Sequence, residues 1–222
     1  MLTRQRIQSG YPGELEDFSS LLGRIDDGSW AKPTRCEGWA VSDVASHVIG
    51  ILADVFGGRL EGIGTPEWSE RQLAERRGKG PAELRAELDQ LRELVVPTLQ
   101  SFDDEFWKAP APPGVAGSNG FGIEGLWYDT YVHGDDIRAA IGAKSVRGAG
   151  LTCSVSQLAG LLTNRGYPPT TLALDGMESF PVSGGGGREV TGDPLAFVLV
   201  ATGRADPSQL GLAPDINVYR DA

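Results

Sequence analysis

Cysteine is scarce in this chain: Cys36 and Cys153 are the only two among 222 residues, and they lie far apart with no C-x-x-C spacing. Neither a disulfide framework nor a zinc knuckle is indicated. Basic charge is also in deficit, with 20 Lys and Arg against 30 Asp and Glu and a net charge of -10. Such a chain has no basic stripe for phosphate backbones, which excludes nucleic acid as a partner, and an anionic membrane surface repels it. No apolar run approaches the ~18 residues that span a bilayer, and the first residues lack the apolar core of a signal peptide, so the expectation is a cytoplasmic protein. The sequence holds no Walker motif, no G-x-S-x-G and no H-E-x-x-H. Gly184–Gly187 is four glycines in a row rather than G-x-G-x-x-G, which predicts a hairpin or loop and not a phosphate cradle.

What is present reads as a globular protein, with 40% hydrophobic and 23% charged residues over a length that suits one large or two small domains. Leu15, Phe18, Leu21, Leu22 and Ile25 step at three and four residues and predict a helix with one buried face. A second helix is predicted from Val41 to Phe56, ended by Gly57-Gly58, with Ala40 where a capping hydroxyl would be expected. A third follows Gly80-Pro81 and carries Leu84, Leu88, Leu91, Leu94, Val95 and Leu99, with Pro97 expected to kink or finish it. A fourth spans Ile123 to Ile141, after a Pro- and Gly-rich linker. Four amphipathic helices hide their apolar faces most simply as an antiparallel bundle, here residues 1–147. From 148 to 222 the pattern turns into a small α+β unit. Its expected parts are a helix at Val155–Leu162, strands at Thr170–Leu174, Phe180–Val182 and Arg188–Thr191, a helix from Asp193 to Thr202 and a last strand at Ile216–Tyr219.

Histidine is as rare as cysteine, and its placement is informative. His47 and His133 each follow an aspartate by one helical turn, as Asp43-x-x-x-His47 and Asp129-x-x-x-His133. Residues at i and i+4 share a helix face, so two such helices could converge on one metal ion, or each pair could simply make a local surface hydrogen bond.

The stretch from Trp30 to His47, with Pro33-Thr34, Cys36, Gly38-Trp39, Val41 and Asp43 between, resembles the opening motif of the mycothiol-dependent maleylpyruvate isomerase family, a branch of the DinB-like four-helix metalloproteins. Tyr131 to Ile137 is similar to the V-H-G-x-D segment of that family's fourth helix. The stretches Val190–Pro194 and Thr202–Leu210 are similar to its small C-terminal, sterol-carrier-like domain. The resemblance implies a DinB-like bundle followed by a small α+β domain, and a divalent ion, usually zinc, held by His47, Asp129 and His133. Three N and O ligands with an open fourth position are the arrangement of catalytic zinc. The resemblance also implies a low-molecular-weight thiol, mycothiol, as cofactor, a small-molecule electrophile as substrate, and Arg204 as an active-site arginine able to read a carboxylate. The family pattern has glutamate where this chain has Asp129, whose carboxylate stops roughly 1–1.5 Å sooner.

Neighbouring residues carry two readings each. Asp43 could orient the His47 imidazole or favour its helix dipole. Asp136 is expected to bond the loop around Trp39, Cys36 to be a small packing residue, Trp39 a core anchor, and Arg204 alternatively a surface arginine beside Asp206. The expected function is a metal-dependent thiol transferase or cis–trans isomerase acting on an unsaturated acid. The alternatives are a metal-dependent hydrolase at the same site and a metal-free small-molecule binding protein. Oligomeric state is not legible.

Overall fold

A computed structural model describes residues 1–220 and divides the chain into two compact units, one of Thr3–Val146 and the other of the chain from Arg147 on together with Met1–Leu2. Among the described residues no helix is long and apolar enough to cross a membrane.

The first unit is built on four long helices: α1 (Arg4–Leu22), α3 (Val41–Phe56), α5 (Pro81–Ser101) and α7 (Asn119–Ala140). Each of α1 and α3 packs against both α5 and α7, which closes the four into a bundle. Their inward residues are those the apolar spacing selects, with Leu15, Phe18, Val44, Leu84, Leu88, Trp127 and Ile137 all buried. Leu94, expected inward, is half exposed. Shorter helices fill the connections: α2 (Asp27–Trp30), α4 (Pro66–Arg76) and α6 (Asp104–Lys108).

Three features depart from the apolar pattern. Helix α1 begins about three turns earlier than its leucines suggest. Thr3 caps it by accepting from the Arg6 N–H, and it runs through Pro12. Its Gly10 is the reason this polar start can pack, because a Cβ there would lie 2.2 Å from the buried Trp127 ring. Pro97, expected to kink or finish α5, does not finish it: the helix runs on to Ser101, with Val95 and Leu99 on either side of the proline fully buried. Helix α4 has no counterpart in the periodicity at all. Its buried stripe is Trp68, Gln72 and Arg76, at i, i+4 and i+8, so two of the three inward residues are polar.

In the second unit, α8 (Ala149–Asn164) packs on α9 (Pro194–Ala201), an apolar helix capped by Asp193, whose carboxylate accepts from the Ala196 N–H at 2.8 Å. The sheet runs β2-β1-β3, with β1 (Thr170–Leu174) antiparallel to β2 (Phe180–Val182) and parallel to β3 (Arg188–Gly192). Alternate residues Thr170, Leu172 and Leu174 point inward. The run Ser183–Gly187 between β2 and β3 has five consecutive positive φ angles, so the glycines make a loop. The strand expected at Ile216–Tyr219 is absent. Pro214–Ile216 is a turn of 3-10 helix instead, because Pro214 has no N–H to give a ladder and presets the tight φ of a turn.

Candidate metal centre

Helices α3 and α7 lie side by side in the bundle and bring the two histidines together, with ring centroids 5.3 Å apart and planes at 87°. Asp129, one turn before His133 on α7, holds Oδ1 3.5 Å from His133 Nε2. One donor atom from each of His47, Asp129 and His133 lies within 4.8 Å of the others. This is a set of two nitrogens and one oxygen, drawn from two helices, with the composition of a three-ligand zinc site.

The loop before α3 covers this cluster from one side. Thr34 organises it: its N–H and its hydroxyl both donate to the Trp39 carbonyl, at 3.0 and 2.9 Å, and its hydroxyl oxygen accepts from the Cys36 N–H at 3.1 Å. Gly38, at φ 79°, supplies the left-handed residue that turns the chain back. The Trp39 indole is thereby set edge-on to His47, with ring centroids 4.9 Å apart, and 6.2 Å from His133. Trp39 is half-buried and walls the site, rather than anchoring the core as expected. A cavity of about 490 Å³ opens beside it, lined by Trp30, Trp39, Ser42, Ser46, Arg76 and Lys79 among others.

Asp136 is fully buried and gathers several groups. Its Oδ2 lies 3.1 Å from His133 Nδ1 and accepts from Cys36 Sγ at 3.2 Å, while Oδ1 accepts from Arg35 Nε at 3.1 Å. The loop contact expected of Asp136 is therefore made through Arg35 and Cys36. The same carboxylate also fixes His133: as an acceptor it holds the proton on Nδ1 and turns Nε2 toward Asp129. Arg35 adds a second arm to Asp135 at 2.6 Å and clamps the loop to α7. Cys36 is half-buried, and its sulfur, 3.6 Å from His133 Nδ1, belongs to this hydrogen-bonded group instead of serving as packing.

Asp43 takes the second of its two readings. It lies in the first turn of α3, and its Oδ2 accepts the Ala40 N–H at 2.9 Å, the half of a capping box that an acid at this position supplies. The group beside His47 is Gln72 of α4, whose Oε1 lies 3.0 Å from His47 Nδ1. Neither Gln72 nor Arg35 was legible as a site residue. The only trace of the first is the Trp68–Gln72–Arg76 spacing, and of the second its place beside Cys36.

The two imidazoles differ electrostatically. Burial pushes the His47 pKa down to about 4, against the opposing pull of Asp129. Burial acts the same way on His133, but Asp129, Asp136 and Cys36 together outweigh it and raise its pKa to about 10. The surroundings of His133 thus favour its protonated form beside Asp129.

Arg204 belongs to the other unit. It lies past the end of α9, where its N–H donates to the Leu199 carbonyl at 2.7 Å and its guanidinium to the Thr202 carbonyl at 3.4 Å.

Among known proteins, the family model described as the mycothiol maleylpyruvate isomerase N-terminal domain matches residues 12–138. No curated protein matches the chain. Among solved structures, the crystal structure of the mycothiol-dependent maleylpyruvate isomerase is similar with a TM-score of 0.63 at 18% identity, over 96% of each chain. A mutant of that isomerase gives a TM-score of 0.62 at the same identity and coverage. At that identity the likeness speaks for the fold, a DinB-like bundle followed by a small α+β unit.

Proposed function

Since the chain belongs to the mycothiol maleylpyruvate isomerase N-terminal domain family, we propose that it is a thiol-dependent isomerase or S-transferase with a divalent metal centre at His47, Asp129 and His133. The observation that carries the reading is the convergence of those three donors from α3 and α7. Zinc suits the mixed imidazole and carboxylate set, and a site with three protein ligands keeps one position open. When bound, such an ion lowers the pKa of a thiol or water and makes the nucleophile available at neutral pH.

The chain's own residues prepare that chemistry. His47 stays unprotonated because it is buried, so its free lone pair is available at pH 7. Asp136 orients His133, and Trp39 shields the pair from bulk water. The thiol is of the mycothiol type and the substrate a small unsaturated acid, and Arg204 of the other unit is able to read a carboxylate. The thiolate sulfur bonds to an alkene carbon, and the π pair moves into the conjugated carbonyl. The former double bond then turns. Return of the electron pair expels the thiolate and gives the other geometric isomer, whereas protonation of the carbanion retains sulfur as an S-conjugate.

The test uses purified protein with mycothiol and maleylpyruvate as the first probe pair, with metal content measured in parallel. Expected are close to one zinc per chain, thiol-dependent loss of the cis substrate, and loss of both after chelation. Turnover that ignores the thiol would overturn the thiol assignment. Protein that takes up no zinc from excess would overturn the metal centre.

A further inference from the structure

Helix α3 carries His47, Gly50 and Asp54 at i, i+3 and i+7, one stripe that faces α4. On α4, Gln72 is wholly buried between the two side chains of that stripe. Its Oε1 meets His47 Nδ1 at 3.0 Å and its Nε2 donates to Asp54 Oδ2 at 2.9 Å. Asp54, also wholly buried, is ion-paired with the Arg59 guanidinium at 2.6 Å and accepts a hydrogen bond from Arg71 at 2.9 Å. With two guanidiniums on it, Asp54 has only lone pairs to offer, so the amide of Gln72 must turn its NH2 toward Asp54 and its oxygen toward His47. An oxygen beside Nδ1 demands a proton on Nδ1, which leaves the lone pair of His47 on Nε2.

We propose that Gln72 is a positioning residue that fixes the tautomer and ring orientation of His47, with Asp54 setting the direction of its amide. The reading of His47 as a ligand makes this consequential, and the inference rests on that reading for its effect on metal binding only. Two independent features support it. Gly50 sits in the middle of a helix, where glycine is less favourable than alanine, and a Cβ there would stand 2.5 Å from Gln72 Cβ and 3.1 Å from an Arg76 nitrogen. The helix thus gives up stability where doing so lets α4 approach. Moreover, α4 turns a largely polar stripe inward, which serves no apolar core but does deliver an amide to an imidazole.

The chain has two histidines only, so the imidazole nitrogens can be read individually by long-range ¹H–¹⁵N spectra of metal-free, ¹⁵N-histidine-labelled protein near neutral pH. In the wild type, His47 should show the Nδ1–H form. Gln72→Leu, which keeps the volume and removes the acceptor, should shift His47 toward the mixed signature of an unconstrained imidazole and weaken zinc binding by about 10–100-fold in chelator competition. Gln72→Glu, which keeps an oxygen on Nδ1, should retain the Nδ1–H signature. A wild-type His47 carrying its proton on Nε2 would overturn the inference without any variant having to fold. So would a Gln72→Leu protein, folded by circular dichroism, whose His47 is unchanged. If the tautomers respond as expected but no form binds zinc, the positioning role stands and the metal centre falls.

Discussion

Asp129 Oδ1 stands 3.5 Å from Nε2 of His133. Two donors bound to one zinc at 2.0–2.1 Å and a tetrahedral angle are about 3.3 Å apart, so the shorter aspartate needs little movement to share an ion with its neighbour on α7. Asp129→Asn, His47→Ala and His133→Ala should each lower zinc affinity on the order of a hundredfold, as measured by competition against a chromogenic chelator. Little effect from Asp129→Asn would leave a two-histidine site.

At the proposed metal centre, zinc would compete with a proton for His133. In the metal-free protein its pKa is raised to about 10, so the ion must displace a proton throughout the neutral range. Apparent zinc affinity should therefore rise about tenfold per pH unit between roughly pH 7 and 9. A flat profile by titration calorimetry would contradict the environment assigned to this imidazole. The same shift stabilises the metal-free fold. That contribution is complete below the unfolded pKa near 6.5 and is lost as pH rises through about 10.

Removing the clamp at Arg35 should cost stability. Asp135 and Asp136 are buried and both lean on this guanidinium, which is itself only 26% exposed. Arg35→Ala should destabilise the fold by about 2–3 kcal/mol in urea titration. Arg35→Lys should recover only part, because a single ammonium cannot serve both carboxylates as the planar fork does.

Glu14 sits in the bundle core, where its carboxylate accepts from Trp127 Nε1 at 3.1 Å and burial raises its pKa to about 6. A raised carboxyl pKa favours the fold below the unfolded value of 4.5, and that benefit is lost as pH climbs through 6. Glu14→Gln keeps an acceptor for the indole and carries no charge. It should raise stability above pH 6 by about 1–2 kcal/mol and make little difference at pH 4. Denaturant curves at the two pH values would decide.

The apolar repeat of this chain announced the bundle because Leu15, Val44, Leu84 and Ile137 are core residues in a period that only a helix satisfies. Helix α4 stayed hidden because it buries Gln72 and Arg76, and a search for buried leucines cannot see a polar inner face. In the same way, the spacing of Asp129 and His133 revealed their shared face, but no spacing connects His133 to Cys36, nearly a hundred positions earlier. That contact depends on the turn made by Thr34 and Gly38. Asp43 was ambiguous for a different reason: at the third position of a helix one carboxylate can serve the backbone or a side chain one turn on. The open N–H of Ala40 decided the matter.

From Ser183 to Gly187 the backbone keeps to the mirror-image half of conformational space for five residues, and a side chain at Gly187 would stand 2.2 Å from the Pro169 carbonyl oxygen. Most L-amino acids pay heavily for even one such residue. The plainest stretch of the sequence is therefore not free to drift: Ser183 tolerates such a backbone, but a side chain at Gly187 would force the passage between two strands to be redrawn.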